Sequence, residues 1–347
     1  MITTRRPRRT TTLATLMLAS LILIATGGVA TASRPPNRGT DSHARRGQLI
    51  SATLLQRLSR RSVATELAGA RLGPGDPALG AQAVRDGIDA YRVVYRTVTA
   101  DGLPTRASGL VVFPLVGAGR LRIVVYGHGT SGDRVDAPSS FGLDANQDGI
   151  EGRWSSELFG SAGFAVAEPD YLGMGEGVGR PEYMVAKSEA SAALDLLRAA
   201  AVLAARHRDR LDRGVLATGF SEGGAAAMAF GRLLQQSTDP SFQLQALAPV
   251  SGPYDLSGAQ LPGMFNGDVA PAVAPYYIAY TLTAWNPLYH LYATPNAAFR
   301  APYAARIEAL FGGSYQDSKI EASLPTSLAT LLTARLLAVI RHPTGVF

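Results

Sequence analysis

The chain has no cysteine among its 347 residues. That absence excludes a disulfide scaffold, a thiol nucleophile and a cysteine-based zinc site. Charge is sparse as well, with 17% charged residues against 46% apolar ones, which suits an ordinary globular protein. The body of the chain carries no excess of basic charge despite a formal net charge of +6. Of 33 Lys and Arg and 27 Asp and Glu, residues 1–61 hold 11 arginines and one acid, Asp41. That leaves 22 basic against 26 acidic groups over residues 62–347. A surface for phosphate contacts is therefore lacking, and nucleic-acid binding is not expected. No internal repeat is visible.

Long apolar runs are also missing, apart from residues 13–25. That run is short for spanning a bilayer. Arg5, Arg6, Arg8 and Arg9 precede it, and Ala30-Thr31-Ala32 follows as a small-residue cleavage site. Residues 1–32 thus read as a signal peptide, which predicts a secreted protein with no stable membrane span after cleavage. Residues 33–47, rich in Pro, Arg, Gly and Ser, read as a disordered linker.

The stretch that organises the rest is Val215-Leu-Ala-Thr-Gly-Phe-Ser221-Glu-Gly-Gly-Ala-Ala-Ala-Met-Ala-Phe230. Its apolar start predicts a short buried strand and its Ala-rich end a helix. Between them Gly219-x-Ser221-x-Gly223 fits a sharp strand-to-helix turn that lifts a serine hydroxyl out of the fold. The glycines are needed because strand and helix nearly touch there. The free N–H groups at the helix start would face a developing oxyanion.

Upstream, apolar residues from Leu49 to Leu67 recur at helical spacing and predict one amphipathic helix, broken at Gly73-Pro-Gly-Asp-Pro77. Residues 88–99 and 107–113 predict a hairpin turning at Asp101-Gly102. Strands at 121–126, 164–167 and 244–250, with a long helix over 188–207, alternate as a parallel sheet does. From Pro253 to Tyr303 aromatic residues and prolines crowd together, which predicts a helical cap. Residues 322–340 predict a last apolar helix.

Together these segments resemble the α/β-hydrolase superfamily, and within it lipases and carboxylesterases of the secretory-lipase type. The matching pieces are Tyr91-Arg-Val-Val-Tyr95, Tyr126-Gly-His-Gly-Thr130, Ala137-Pro-Ser139, Pro169-Asp-Tyr-Leu-Gly-Met-Gly175, Asp195-Leu-Leu-Arg-Ala199 and the Ser221 turn. The resemblance implies an α/β-hydrolase core over about 48–258: a mostly parallel sheet with helices on both faces and an N-terminal β-hairpin. Residues 259–347 would hold the cap. It implies Ser221 as nucleophile toward a small-molecule ester or lipid, with no cofactor and no metal. Oxyanion donors would come from Glu222 and from the loop at Gly129 and Thr130. His128, in that loop, would serve packing or loop order.

The superfamily's acid and histidine follow the nucleophile on two further strands. Here 126 residues follow Ser221, and most read as cap. His290 reads as a core histidine, and His342 follows the last helix without an acid-bearing loop before it. Asp255, Asp268 and Asp317 end no evident strand. The expectation is that the chain stops before those two strands. The alternative function is then a weak or inactive hydrolase-fold protein that binds apolar ligands; a peptidase or acyltransferase is a further alternative. Asp144-Ala-Asn-Gln-Asp-Gly149 spaces oxygen side chains as a calcium loop does, but Ser155 stands where a bidentate Glu is needed. Gly173-Met-Gly-Glu-Gly-Val-Gly179 precedes no phosphate-binding helix and reads as a flexible loop near the active-site mouth. Glu222 reads as a helix-start acid placed for the dipole.

Overall fold

The structure, a computed structural model, describes residues 45–70, 84–116, 119–143, 150–237, 240–270 and 272–342. The leader, the linker up to residue 44, the break at 73–77 and the acidic loop at 144–149 lie outside the described residues.

Among the described residues, strands β1 (Leu49–Leu58), β2 (Ile88–Val98), β3 (Pro104–Pro114), β4 (Arg120–Gly127), β5 (Ala165–Pro169), β6 (Arg210–Phe220) and β7 (Gln243–Val250) form one sheet. Their order is β1-β2-β3-β5-β4-β6-β7. The β1-β2, β2-β3 and β3-β5 pairs are antiparallel; β5, β4, β6 and β7 run parallel. The sheet is therefore mixed, less parallel than the sequence suggests. The predicted hairpin is β2-β3, turning at Gly102 with φ 82°.

Period-two alternation sends neighbouring residues of one strand into two separate cores. Tyr91, Val93, Tyr95, Val111 and Val125 pack under helices α3 (Ala186–Arg206) and α4 (Glu222–Gln236). Ile88, Ala90, Leu110, Val112 and Val166 face the opposite side, under α1 (Arg60–Gly69) and α2 (Ile150–Ser161). Because both faces are covered, β2 and β3 are buried at almost every position.

The helix expected over Leu49–Leu67 is instead a strand followed by a helix. Two bulges, between Leu49 and Ser51 and between Leu54 and Gln56, interrupt the pairing of β1 with β2. The inward residues Leu49, Ala52, Leu55 and Leu58 consequently recur every third position, which imitates a helix. Ser59 then caps α1 by accepting from the Ser62 N–H at 3.1 Å. The last helix, expected over 322–340, also divides, into α10 (Leu328–Leu331) and α11 (Ala334–Arg341), and a separate helix α9 (Asp317–Ala322) ends where it was expected to start. Ser327 and Thr333 act as N-caps inside the apolar run, accepting from Ala329 and Leu336 N–H groups.

A third core belongs to the aromatic region. It gathers α5 (Leu261–Asn266), α6 (Ala274–Tyr289), α7 (Pro295–Ala298) and α8 (Ile307–Leu310) with α9–α11. Tyr280 stacks between Tyr183 (4.1 Å) and Phe311 (4.8 Å). Its hydroxyl donates to the Ser131 carbonyl at 3.0 Å, tying the cap to the loop after β4.

The end of the expected linker is docked rather than loose. Arg46 donates to the fully buried Asp195 of α3 at 2.9 Å, and the Gly47 N–H to the Arg96 carbonyl. Asp195 also accepts from Thr97 of β2 and from Arg198. Removing this carboxylate would strand two arginines and a threonine. Asp195→Ala is expected to lose about 3 kcal/mol in urea unfolding, the low end for a broken buried pair, since both arginines keep some water. A change within about 0.5 kcal/mol, the range of ordinary surface substitutions, would contradict this.

Candidate active site

β6 lies between β4 and β7, and its last residue, Phe220, leads directly into Ser221. Ser221 sits at φ 55°, ψ −120°, a conformation that costs a non-glycine residue about 1–3 kcal/mol. The surroundings hold it there. Its N–H donates to the Val250 carbonyl at 3.0 Å, and its own carbonyl accepts from Gly224 at 2.9 Å. A Cβ on Gly223 would collide with the Gly127 carbonyl, and one on Gly219 with the Gly223 carbonyl. The glycines are thus required by contact between backbones; neither has a positive φ.

The loop after β4 lies against this turn. His128 is buried, stacks on Tyr171 at 4.3 Å, and places Nδ1 2.7 Å from the Gly129 carbonyl. Burial pushes its pKa down to about 4, so the ring is neutral and orders the loop. The Gly129 N–H donates to both oxygens of Glu151 at 3.2 Å. Glu151 also accepts from the Tyr126 hydroxyl at 2.7 Å. Of the two loop residues singled out in the sequence, Thr130 reaches the cavity beside Ser221 and Gly129 does not.

That cavity is about 250 Å³. Ser221, Glu222 and Thr130 line it together with the apolar cap residues Leu261, Met264, Ile278 and Trp285. The Trp285 indole N–H donates to the Tyr183 carbonyl at 3.2 Å and fixes the cap over the loop before α3. A second cavity, about 500 Å³, opens at the other end of the parallel strands beside Tyr91, Phe113 and His207, and neither Ser221, Glu222, Gly129 nor Thr130 lines it.

Other candidates lie elsewhere. His290 is exposed and ends α6 in a left-handed conformation, which corrects the expected core histidine. His342 is exposed at the end of α11. Asp255 caps the turn at Leu256–Gln260, and Asp317 accepts from the Gly132 N–H (2.8 Å) and the Tyr276 hydroxyl (2.5 Å). Among the described residues, no group of three or more His, Asp or Glu is placed to hold a metal. The Gly173–Gly179 stretch is pinned rather than flexible. Arg134 donates to the Gly179 carbonyl at 3.2 Å, and the Glu176 N–H to Ser108 at 2.8 Å. It does not line the cavity with Ser221.

No protein-family model matches the chain, and a comparison with curated proteins finds no match either. Solved structures do match. A putative hydrolase from Legionella pneumophila aligns with a TM-score of 0.74 at 27% identity, covering 84% of this chain and 75% of that one. The rice cell wall degrading esterase LipA from Xanthomonas oryzae aligns at 0.75 and 25% identity, covering 85% and 75%. Candida antarctica lipase A in its closed state shares the fold alone: TM-score 0.57, 15% identity, coverage 86% and 63%.

The sequence did not reveal a set of buried carboxyls around the turn. Glu222, read from the sequence as a helix-start acid placed for the dipole, is 4% exposed and hydrogen-bonded to Glu189 of α3, itself 2% exposed. Glu168, at the end of β5, is fully buried with one oxygen unpartnered. No local signal in α3 marks them: Ser188, Ser191 and Asp195 recur on one face as a solvated stripe would, yet all three are buried. Burial raises the pKa of Glu168, Glu189 and Glu222. Protons that these acids hold in the fold are released by the unfolded chain above about pH 4.3, so stability falls as pH rises toward the folded pKa values. Buried neutral His128 acts oppositely, but only between its folded value of about 4 and its ordinary 6.5. The raised carboxyls together outweigh one imidazole. The melting temperature is expected to fall from pH 5 to pH 8, more steeply above about 6.5; a flat or rising profile would contradict this.

Proposed function

Because the chain is an α/β-hydrolase of the lipase and esterase type, we propose that it cleaves carboxylic esters of apolar acids through an acyl-enzyme on Ser221. One observation carries the reading: Ser221 holds a strained turn at the end of β6, on a cavity that apolar residues of the cap also line. The hydroxyl oxygen attacks the ester carbonyl carbon as its proton leaves. The carbon–oxygen bond to the alcohol breaks, and the alcohol departs with a proton. Water then cleaves the acyl–serine bond, releasing the acid and restoring the hydroxyl. The oxyanion is met by the Glu222 N–H at the start of α4 and by Thr130. With the Gly129 N–H bound to Glu151, Gly129 shapes the loop rather than donating to the oxyanion. The apolar wall of Leu261, Met264 and Ile278 takes the acyl chain.

A specific observation favours a second reading, binding without turnover. Among the described residues lining the cavity none is a histidine or aspartate, so Ser221 has no evident base there. Two measurements on the full chain separate the readings. A fluorophosphonate probe is expected to label Ser221, and p-nitrophenyl butyrate turnover is expected to fall about a thousandfold or more in Ser221→Ala. A folded protein that binds an apolar ester, never labels and turns nothing over would establish the second reading instead.

A further inference from the structure

We propose that Glu189 and Glu222 share one proton and that this carboxyl pair is a positioning device, holding the loop walls of the Ser221 cavity together until alkaline pH removes the proton. The inference concerns the cavity of the ester-hydrolase reading and rests on that reading for its significance, but its readout does not use turnover.

The two acids lie 33 positions apart, one in the first turn of α3 and one opening α4, and their side chains are hydrogen-bonded to each other. An ionised carboxyl only accepts, so a hydrogen bond between two carboxyls needs a proton on one of them. Nothing cationic stabilises the alternative. Neither acid forms an ion pair among the described residues. The titratable groups acting on Glu222 and Glu189 are each other and Glu182, from the loop before α3. Tyr171, Tyr183, Tyr277 and Tyr280 face Glu222 from the loop after β5, the loop before α3, and α6. All are neutral or acidic. One oxygen of Glu189 has no partner, so a second negative charge would meet neither a counter-charge nor an added donor. Burial raising the pKa of both acids agrees with the shared proton.

The pair sits where three pieces of chain meet: the loop after β4, the loop before α3, and the start of α4. The Met184 N–H donates to Glu222 at 3.5 Å and also reaches Glu189. Met184 has φ 56°, a strained value that persists only where the surroundings enforce it. The Thr130 side chain hydrogen-bonds Glu222 and the Tyr183 hydroxyl, the latter at 3.3 Å. Thr130, Tyr183 and Met184 all line the cavity, and the Tyr183 carbonyl receives the Trp285 indole N–H. Two like charges at the hub would push α3 and α4 apart, release Met184 and Thr130, and move the wall that Trp285 touches.

Trp285 is therefore the reporter. The chain has 2 tryptophans, so a Trp154→Phe background isolates it. Emission of the full chain is followed from pH 5 to pH 10 in this background and with Glu189→Gln or Glu222→Gln added. The background protein is expected to show one alkaline transition with one-proton steepness. Either amide, neutral and able to donate to the remaining acid, is expected to fold at pH 6 and to abolish the transition or shift its midpoint by about one pH unit or more. An unchanged midpoint in a folded variant, or no transition in the background protein, would overturn the proposal. Failure of both amide variants to fold at pH 6 would overturn it too, since a site that carries a proton must accept a neutral isostere. A chain that shows the transition yet hydrolyses no ester would sink only the ester-hydrolase reading.

Discussion

Everything at the candidate site follows from one contact, the near-touching of three backbones at Gly127, Gly219 and Gly223. It lets α4 start directly off the end of β6 while the loop after β4 folds across the same point. Strain at Ser221 is the result, and the Val250 carbonyl on β7 helps to hold it. A methyl group at Gly223 would displace the Gly127 carbonyl, and with it His128, Gly129 and Thr130. Ser221 and the loop beside it are in effect one rigid piece.

Around that piece the fold has surrounded the turn with acids. Glu222, Glu189, Glu168, Asp170 and Glu151 are all buried or nearly so, and burial raises the pKa of each. Asp170 takes hydrogen bonds from Ser108 and the Ser139 N–H, Glu168 from Ser155, and Glu151 from Tyr126 and Gly129. These acids act as hydrogen-bonding struts between loops rather than as surface charge. The cap contributes the apolar counterpart, with Tyr280 and Asp317 fastening it to Ser131 and Gly132.

The parts legible in the sequence were those set by short-range chemistry. The strand-turn-helix at Ser221, the turn at Asp101-Gly102 and the order of the loops each depend on a few adjacent residues, and the solved hydrolase structures share the resulting fold. Period was less reliable. Two bulges gave β1 a helical spacing, and caps at Ser327 and Thr333 lay hidden within an apolar run. The buried carboxyls were invisible because burial is tertiary: nothing local tells Glu189 that Glu222 will face it across a helix pair. His290 misled for the converse reason, since Trp285 and Tyr292 turn inward while Tyr289 and His290 close the helix in solvent.

The measurement that tests this account most directly is a crystal structure of the chain with a phosphonate bound covalently at Ser221. The account predicts that Ser221 keeps its positive φ. It also predicts a phosphoryl oxygen about 2.7–3.1 Å from the Glu222 N–H and within reach of Thr130. An ordinary helical conformation at Ser221, or a phosphoryl oxygen turned away from both groups, would contradict it.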